Sequence, residues 1–515
     1  MSKKISYCIV SALLLAAPFL FPPLFLLAWV AFVPLFWVVG QADEIRRAVF
    51  FGWLTGFFAH LFGFYWLVHT ISVFGGFSYP VSSLLFLIYA ALQGIQMALF
   101  AFAVRYFGHG PLSLFPPLFW VALEFWFPLL FPWYLANSQS SFITFIQTAD
   151  LVGPFGASLT LMWANAVIYA SLATARGQSP FSRGTVPVSS PIRWQPAVPV
   201  GLLIVGSLIY GAVRLNTVSG QMASAPKLSI AAVQGNIDVD LKWDPKRAKE
   251  NLEVYRNLTQ QTGGVALVIW PETSIEEWVP EALQQLPPEV MPPLSPETTH
   301  FIFGAKSFYG RPAGADFKAY NTAFLTDATG RILDRYHKQV LLAFGEYIPF
   351  SKILSKLPAM PFSDGFTPGD GPHTLDLSSG QRIAPLICYE DLMPHLSRGF
   401  VKETKANLLV NLTNDSWYGR TVAPWQHARL AQWRAIETRR SLLRVTNTGV
   451  TVSINARGEM EQALPIFTPA VLTTNVDVLE GETFYVRFGD WFAWGATLVS
   501  LALVPLLWKK GGGTV

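Results

Sequence analysis

The feature that most constrains this chain is the distribution of its charges. Residues 1–213 contain 12 Asp, Glu, Lys and Arg side chains, residues 214–488 contain 55, and the last 27 residues contain three. A bilayer core needs about 20 apolar residues per helix and penalises charge inside it. The 515-residue chain therefore divides into a membrane region (1–213), a soluble domain (214–488) and a closing apolar segment (489–515). With 51% hydrophobic and 14% charged residues overall, a wholly soluble enzyme, a fibrous protein and a disordered chain are excluded. Residues 214–488 carry 27 basic and 28 acidic groups, a near-neutral balance that gives no sign of nucleic-acid binding. The two cysteines, Cys8 and Cys388, are too few and too separated for a disulfide framework.

Hydropathy predicts spans near 6–22, 24–40, 48–70, 80–104, 112–131, 155–175 and 196–213, with an eighth at 489–508. Pro22-Pro23 separates the first two, because proline cannot continue a helix. Lys3 and Lys4 ahead of an apolar run resemble a signal peptide. No small-residue cleavage site follows and further spans do, so the segment reads as a helix. Basic residues set the orientation. With a cytoplasmic N-terminus, the inner segments hold Lys3, Lys4, Arg46, Arg47, Arg105, Arg176, Arg183, Arg193, Lys509 and Lys510, while the outer loops near 71–79 and 132–154 hold no Lys or Arg. Seven spans then carry residues 214–488 to the outer face, the periplasm in a bacterium. His60, His69 and Glu124 lie within spans, where the ordinary reading is a hydrogen-bonded helix contact, and no catalytic role is expected of them.

From residue 228 the texture becomes short β-rich runs between polar segments. Strands are predicted at Leu228–Val233, Ala266–Trp270, Phe301–Ala305, Asn321–Leu325, Arg382–Cys388, Leu408–Asn411, Leu443–Thr446 and Val450–Ile454. Helices are predicted near 246–260, 391–403 and 425–438, and turns at 327–330 and 455–458. Strands alternating with helices point to an α/β sandwich with buried sheets.

Three polar groups follow apolar strands, where α/β folds place their sites. Leu267-Val-Ile-Trp-Pro runs into Glu272, Arg331-Ile-Leu-Asp-Arg-Tyr-His into Lys338, and Ile383-Ala-Pro-Leu-Ile into Cys388. Taken singly, such a cysteine is usually core, such a glutamate a cap or loop residue, and such a lysine surface charge. Taken together they are a chemical set. A thiol is a poor nucleophile until a base removes its proton or a cation stabilises the thiolate. A carboxylate supplies the base, and a lysine stabilises first the thiolate and then a tetrahedral oxyanion. The product is a thioester that a second nucleophile opens, which is acyl transfer.

Glu, Lys and Cys in that order, as Val268-Ile-Trp-Pro-Glu272, His337-Lys338 and Ile387-Cys388-Tyr-Glu390, resemble the nitrilase superfamily. A domain of this type between seven spans and one more is similar to the apolipoprotein N-acyltransferase family. The resemblance implies an αββα sandwich beside an eight-helix membrane bundle. It implies an enzyme that takes a fatty acyl chain from a phospholipid such as phosphatidylethanolamine and transfers it to the α-amino group of the diacylglyceryl-cysteine of an apolipoprotein. That enzyme sits in the bacterial inner membrane with both termini cytoplasmic and its catalytic domain periplasmic. By match, Glu272 is the general base, Lys338 the charge stabiliser and Cys388 the nucleophile. Glu346, in Phe344-Gly-Glu346-Tyr-Ile-Pro, and Glu390 are supporting residues, and Trp243, Tyr389 and Trp417 match aromatic positions near the site. No cofactor is implied. An apolar lid around Leu341–Phe344 and Pro358–Phe362 would keep water from the thioester.

Other readings draw on the same residues. A membrane-anchored amidase would use the same triad on a small amide, although seven spans exceed what a tether needs. A transporter with an outer receptor domain would show internal repeats, and none is evident. A Cys-His protease could draw on His337 or His395, but His337 already belongs to the stretch ending in Lys338. No pair of His or Cys has metal-ligand spacing.

Overall fold

A computed structural model describes residues 1–107, 114–176, 197–242, 244–311, 314, 316–343, 345–347 and 365–511, with side chains to residue 505. The chain forms two compact units. One comprises 1–71, 78–217 and 488–515, the other 72–77 and 218–487.

The first unit is helical. Among the described residues, helices Ser2–Leu20, Pro22–Gly40, Tyr79–Phe107, Phe155–Ala175 and Ala197–Ser224 are long and apolar enough to cross a membrane, and the pair Ile45–Gly63 and Leu67–Gly75, bent by 67°, is so only when the two are taken together. The break between the first two falls at Phe21 before Pro22-Pro23, as expected. The predicted span 112–131 is reduced to the 12-residue helix Phe115–Trp126. Phe127 takes an extended conformation ahead of Pro128, as a residue preceding proline does. The last helix, Trp491–Gly511, covers most of the predicted segment 489–508. Helix Ile45–Gly63 packs closely on Tyr79–Phe107 through glycines: a Cβ on Gly52 would lie 2.4 Å from that of Ala101, and one on Gly56 2.9 Å from the Cα of Gly94. Small residues at four-residue spacing allow this approach. His60 bonds the Gly56 carbonyl at 2.8 Å, His69 the Tyr79 hydroxyl at 3.2 Å, and Glu124 accepts from the Leu135 amide at 2.6 Å. Each is a local helix contact.

The second unit is an α/β sandwich. Its strands are β1 (Lys227–Gln234), β2 (Leu267–Ile269), β3 (Ile275–Pro280), β4 (His300–Tyr309), β5 (Lys318–Asp327), β6 (Ile332–His337), β7 (Leu375–Asp376), β8 (Arg382–Ile387), β9 (Leu408–Thr413), β10 (Leu442–Thr446), β11 (Val452–Ile454), β12 (Met460–Ala463) and β13 (Ala470–Asp477). One sheet runs β13-β1-β2-β4-β5-β6 with β3 beside β4, and the other runs β12-β11-β10-β9-β8-β7. All eight predicted strands are present. Helices Ala248–Thr259, Pro394–Gly399 and Ala423–Thr438 fall where helices were expected, and Gly330 (φ +86°) and Gly458 (φ +82°) close the two predicted turns.

Strand periodicity sorts the side chains. Ile230, Ala232, Leu267, Ile269 and Ile302 enter a core shared by both sheets. Their neighbours Ala231, Val233, Val268, Trp270, Phe301 and Phe303 join Tyr255 and Leu258 of helix Ala248–Thr259 in a second core. Both faces of this sheet are thus buried, which is why its strands read as continuous apolar runs. Of the strands not foreseen, β3, β7, β12 and β13, the last is the longest. It pairs antiparallel with β1 along the whole strand, Lys227 opposite Asp477 through Gln234 opposite Ala470.

Candidate active site

Glu272, Lys338 and Cys388 come together because each follows a strand that feeds the shared core. Ile269 is the last inward residue of β2, after which the chain turns through Pro271 to Glu272. Tyr336 points inward from β6, so Lys338, two residues on, continues on that face. Ile387 ends β8 and Cys388 opens the turn beyond it.

Lys338 is the hub. Its buried Nζ is 2.7 Å from Glu346 Oε2 and 4.0 Å from Glu272 Oε1. Burial favours loss of its proton, but Glu346, with Cys388 and Glu272 behind it, outweighs that and holds the ammonium well above its usual range. It also lies 5.5 Å over the ring of Tyr389. Burial raises the Glu272 carboxyl; Lys338 opposes the rise and Glu346 adds to it. Cys388 keeps some open surface, yet burial and then Glu272 push its thiol well above the ordinary range, with Lys338 pulling the other way. A neutral thiol beside a basic carboxyl and a permanent cation is set up for proton transfer as a carbonyl is attacked.

Two backbone outliers mark the site. Cys388 has φ +56° and Thr273, directly after Glu272, φ +47°, angles that side-chain-bearing residues adopt only when their surroundings enforce them. At Cys388 the enforcing partners are visible. Its carbonyl accepts from Asn411 Nδ2 at 2.8 Å. Two residues on, Glu390 accepts from the amides of Ile387 (2.8 Å), Gln339 (2.7 Å) and Val340 (3.0 Å) and from the Tyr336 hydroxyl (3.1 Å). Glu390 therefore ties the chain on either side of Lys338 to the chain entering Cys388. Burial lifts its carboxyl to about 7 against the pull of those amides.

The other expected residues divide. Tyr389 donates its hydroxyl to the Leu341 carbonyl at 2.8 Å, so its polar end braces a loop. Trp417 meets Phe74 edge-to-face at 4.5 Å between ring centres. Trp243, Phe344 and Pro358–Phe362 lie outside the described residues. His337, offered as a protease histidine, points to the opposite strand face, where Thr322 bonds its Nδ1 at 2.9 Å and Tyr320 stacks on it at 4.1 Å.

Two parts of the site were missed from sequence. Asn321 divides its Nδ2 between Glu272 Oε1 (2.8 Å) and Glu346 Oε1 (3.0 Å), holding both carboxylates around the lysine. The signal existed: Asn321 shares strand parity with Ala323 and Leu325, both in the shared core. The second part is a fully buried group of Asp391, Asp415, His427 and Arg444. His427 bonds Asp391 at 2.8 Å and Asp415 at 3.1 Å, while Arg444 reaches Asp391 at 3.2 Å and Asp415 at 2.8 Å. It pins the turn after Cys388 to the turn that carries Trp417. No local motif announces four residues drawn from four segments.

Comparison with known proteins gives a consistent picture. Residues 11–167 match the family described as apolipoprotein N-acyltransferase N-terminal domain, and residues 229–483 match carbon-nitrogen hydrolase. A protein of Geobacter metallireducens called apolipoprotein N-acyltransferase is 34% identical, across 98% of this chain and 95% of its own length. Proteins of the same name from Azotobacter vinelandii (32% identical, 90% of this chain and 86% of theirs) and Photobacterium profundum (29%, 100% and 98%) are also similar. A crystal structure of an amidase from Nesterenkonia sp. matches 50% of this chain and 92% of its own at 19% identity, with a TM-score of 0.33, too low to carry an argument.

Proposed function

This chain belongs to the apolipoprotein N-acyltransferase family and is an enzyme of that kind, and we propose that it transfers acyl groups through Glu272, Lys338 and Cys388. Glu272 accepts the Cys388 proton as the sulfur attacks the ester carbonyl of a phospholipid such as phosphatidylethanolamine. The new C–S bond leaves the electron pair on oxygen, and the Lys338 ammonium stabilises that oxyanion. Collapse breaks the ester C–O bond, and the lysophospholipid oxygen leaves with the proton held by Glu272. The α-amino group of the diacylglyceryl-cysteine of an apolipoprotein then attacks the thioester. Glu272 takes the amine proton, the C–S bond breaks, and the proton returns to sulfur. Two substrates using one site in turn make the kinetics ping-pong.

The observation that carries this reading is the cluster itself: Lys338 Nζ lies 2.7 Å from Glu346 and 4.0 Å from Glu272, with Asn321 spanning both carboxylates. Glu346 and Glu390 are assigned as positioning groups, and Trp243, Tyr389 and Trp417 as aromatic neighbours of the lipid path. The further assignments are eight spans, a periplasmic catalytic domain over 214–488 and cytoplasmic termini in the inner membrane. The support for them is the absence of Lys and Arg from the outer loops.

Intact mass before and after exposure to phosphatidylethanolamine tests the chemistry. A single fatty-acyl gain, released by hydroxylamine, absent in Cys388→Ala and discharged by a diacylated lipopeptide to give a triacylated product, is expected. Free fatty acid with unmodified lipopeptide would favour hydrolysis over transfer.

A further inference from the structure

A second buried lysine stands behind the base. Lys242 closes the short helix Val239–Lys242 and is fully buried. Its Nζ donates to the main-chain carbonyl of Glu272 at 3.3 Å. An ammonium out of reach of water is costly unless compensated, and among the described residues no carboxylate pairs with Lys242 directly. It is aimed instead at the backbone of the one residue that must take the thiol proton.

The surrounding groups fit that placement. Glu276 on β3 faces Lys242 and is steadied by Asn251, whose Nδ2 reaches Glu276 Oε1 at 2.9 Å and the Leu241 carbonyl at 3.2 Å. Lys306 on β4 repels it. Facing Glu272 are Lys338 beyond β6, Glu346 in the following loop and Lys242 itself, with Cys388 beyond β8. Burial lowers the Lys242 ammonium to about 8, with Glu276 and Glu272 working to keep it charged. The turn it holds is tight. A Cβ on Gly304 would sit 2.6 Å from the Thr273 nitrogen and 2.7 Å from the Glu272 Cα.

We propose that Lys242 is a positioning residue for Glu272, fixing its carbonyl by hydrogen bond and setting a buried positive charge behind its carboxylate. This rests on the assignment of Glu272 as base. A nearby cation favours the ionised carboxylate, so its removal raises the Glu272 pKa and moves the acid limb of the reaction to higher pH.

The experiment is single-turnover acylation of Cys388 by phosphatidylethanolamine in the full-length protein in detergent, read by intact mass from pH 5 to 9. Wild type is compared with Lys242→Gln, which keeps a donor and drops the charge, and Lys242→Arg, which keeps the charge. The expected result is an acid-limb midpoint about one pH unit higher in Lys242→Gln and a wild-type midpoint in Lys242→Arg, both variants giving wild-type circular dichroism. A wild-type midpoint in Lys242→Gln, an equal shift in Lys242→Arg, or a glutamine variant that does not fold would overturn the proposal in favour of a purely structural lysine. A wild-type protein that never acylates would sink the assignment of Cys388 and Glu272 as well, and the wild-type trace alone tells the two failures apart.

Discussion

At the scale of single residues, the site depends on polar groups that have no freedom to turn. Asn321 can serve Glu272 and Glu346 together only because both carboxylates are buried within reach of one amide nitrogen. Asn321→Ala leaves two buried acceptors short of a donor, at a cost of about 1–3 kcal/mol. Single-turnover acylation should fall roughly tenfold or more, with its acid limb displaced upward, because the lost hydrogen bond had lowered the Glu272 pKa. Glu390 makes a different demand. Three backbone amides point at it, so Glu390→Gln turns a donor towards a donor whichever way the amide is set. A lower melting temperature and a lower acylation rate are expected together, since the same carboxylate holds both the fold and the Lys338–Cys388 juxtaposition.

At the scale of elements, the turn after the strained Cys388 and the turn that carries Trp417 are held together by charge. Asp391 follows Cys388 by three residues, Asp415 precedes Trp417 by two, and Arg444 on β10 and His427 on helix Ala423–Thr438 bind both. Breaking a buried network by removing one partner costs about 3–5 kcal/mol, so Arg444→Met should unfold at markedly lower denaturant concentration than wild type. The network also has a pH signature. Arg444 and His427, against the cost of burial, hold the Asp415 carboxyl at about 2. The stability this provides is present above the unfolded value of about 3.9 and is lost as pH falls towards 2. His427 is raised instead, burial and Arg444 being outweighed by Asp391 and Asp415. Its contribution is full below about 6.5 and disappears as pH rises through the folded value. Chemical denaturation of wild type and His427→Gln should therefore show a gap in stability at pH 6 that narrows by pH 9.

At the scale of the whole molecule, the two units answer to different solvents. The helical unit has no hydrophobic drive between lipid-exposed helices, so close packing at small residues has to hold it. Gly52→Val would put a side chain where even a Cβ meets Ala101 at 2.4 Å and the Met97 carbonyl at 2.5 Å, and should lower the yield of folded protein recovered from membranes. The proposed orientation makes its own prediction. In a background lacking Cys8 and Cys388, a cysteine at exposed Tyr309 should react with a membrane-impermeant maleimide added to intact spheroplasts, and one at exposed Asp43 should not. The reverse pattern would invert the topology.

The sequence alone determined the separation into an apolar region and an α/β domain, because bilayer and water impose opposite compositions on what they surround. It also determined eight strands of the sandwich, whose apolar runs reflect burial on both faces, and it drew attention to Glu272, Lys338 and Cys388 as strand-end groups. Tertiary structure decided what periodicity cannot encode. β13 takes its place in the sheet by pairing with the whole length of β1, more than 200 residues away in the chain. The span predicted at 112–131 shrinks because Pro128 sets the conformation of Phe127. Asn321, the four-residue charge network and Lys242 acquire their partners from segments 12 to 53 residues away. A one-dimensional pattern records which face of a strand a side chain takes, but not which distant group waits on that face.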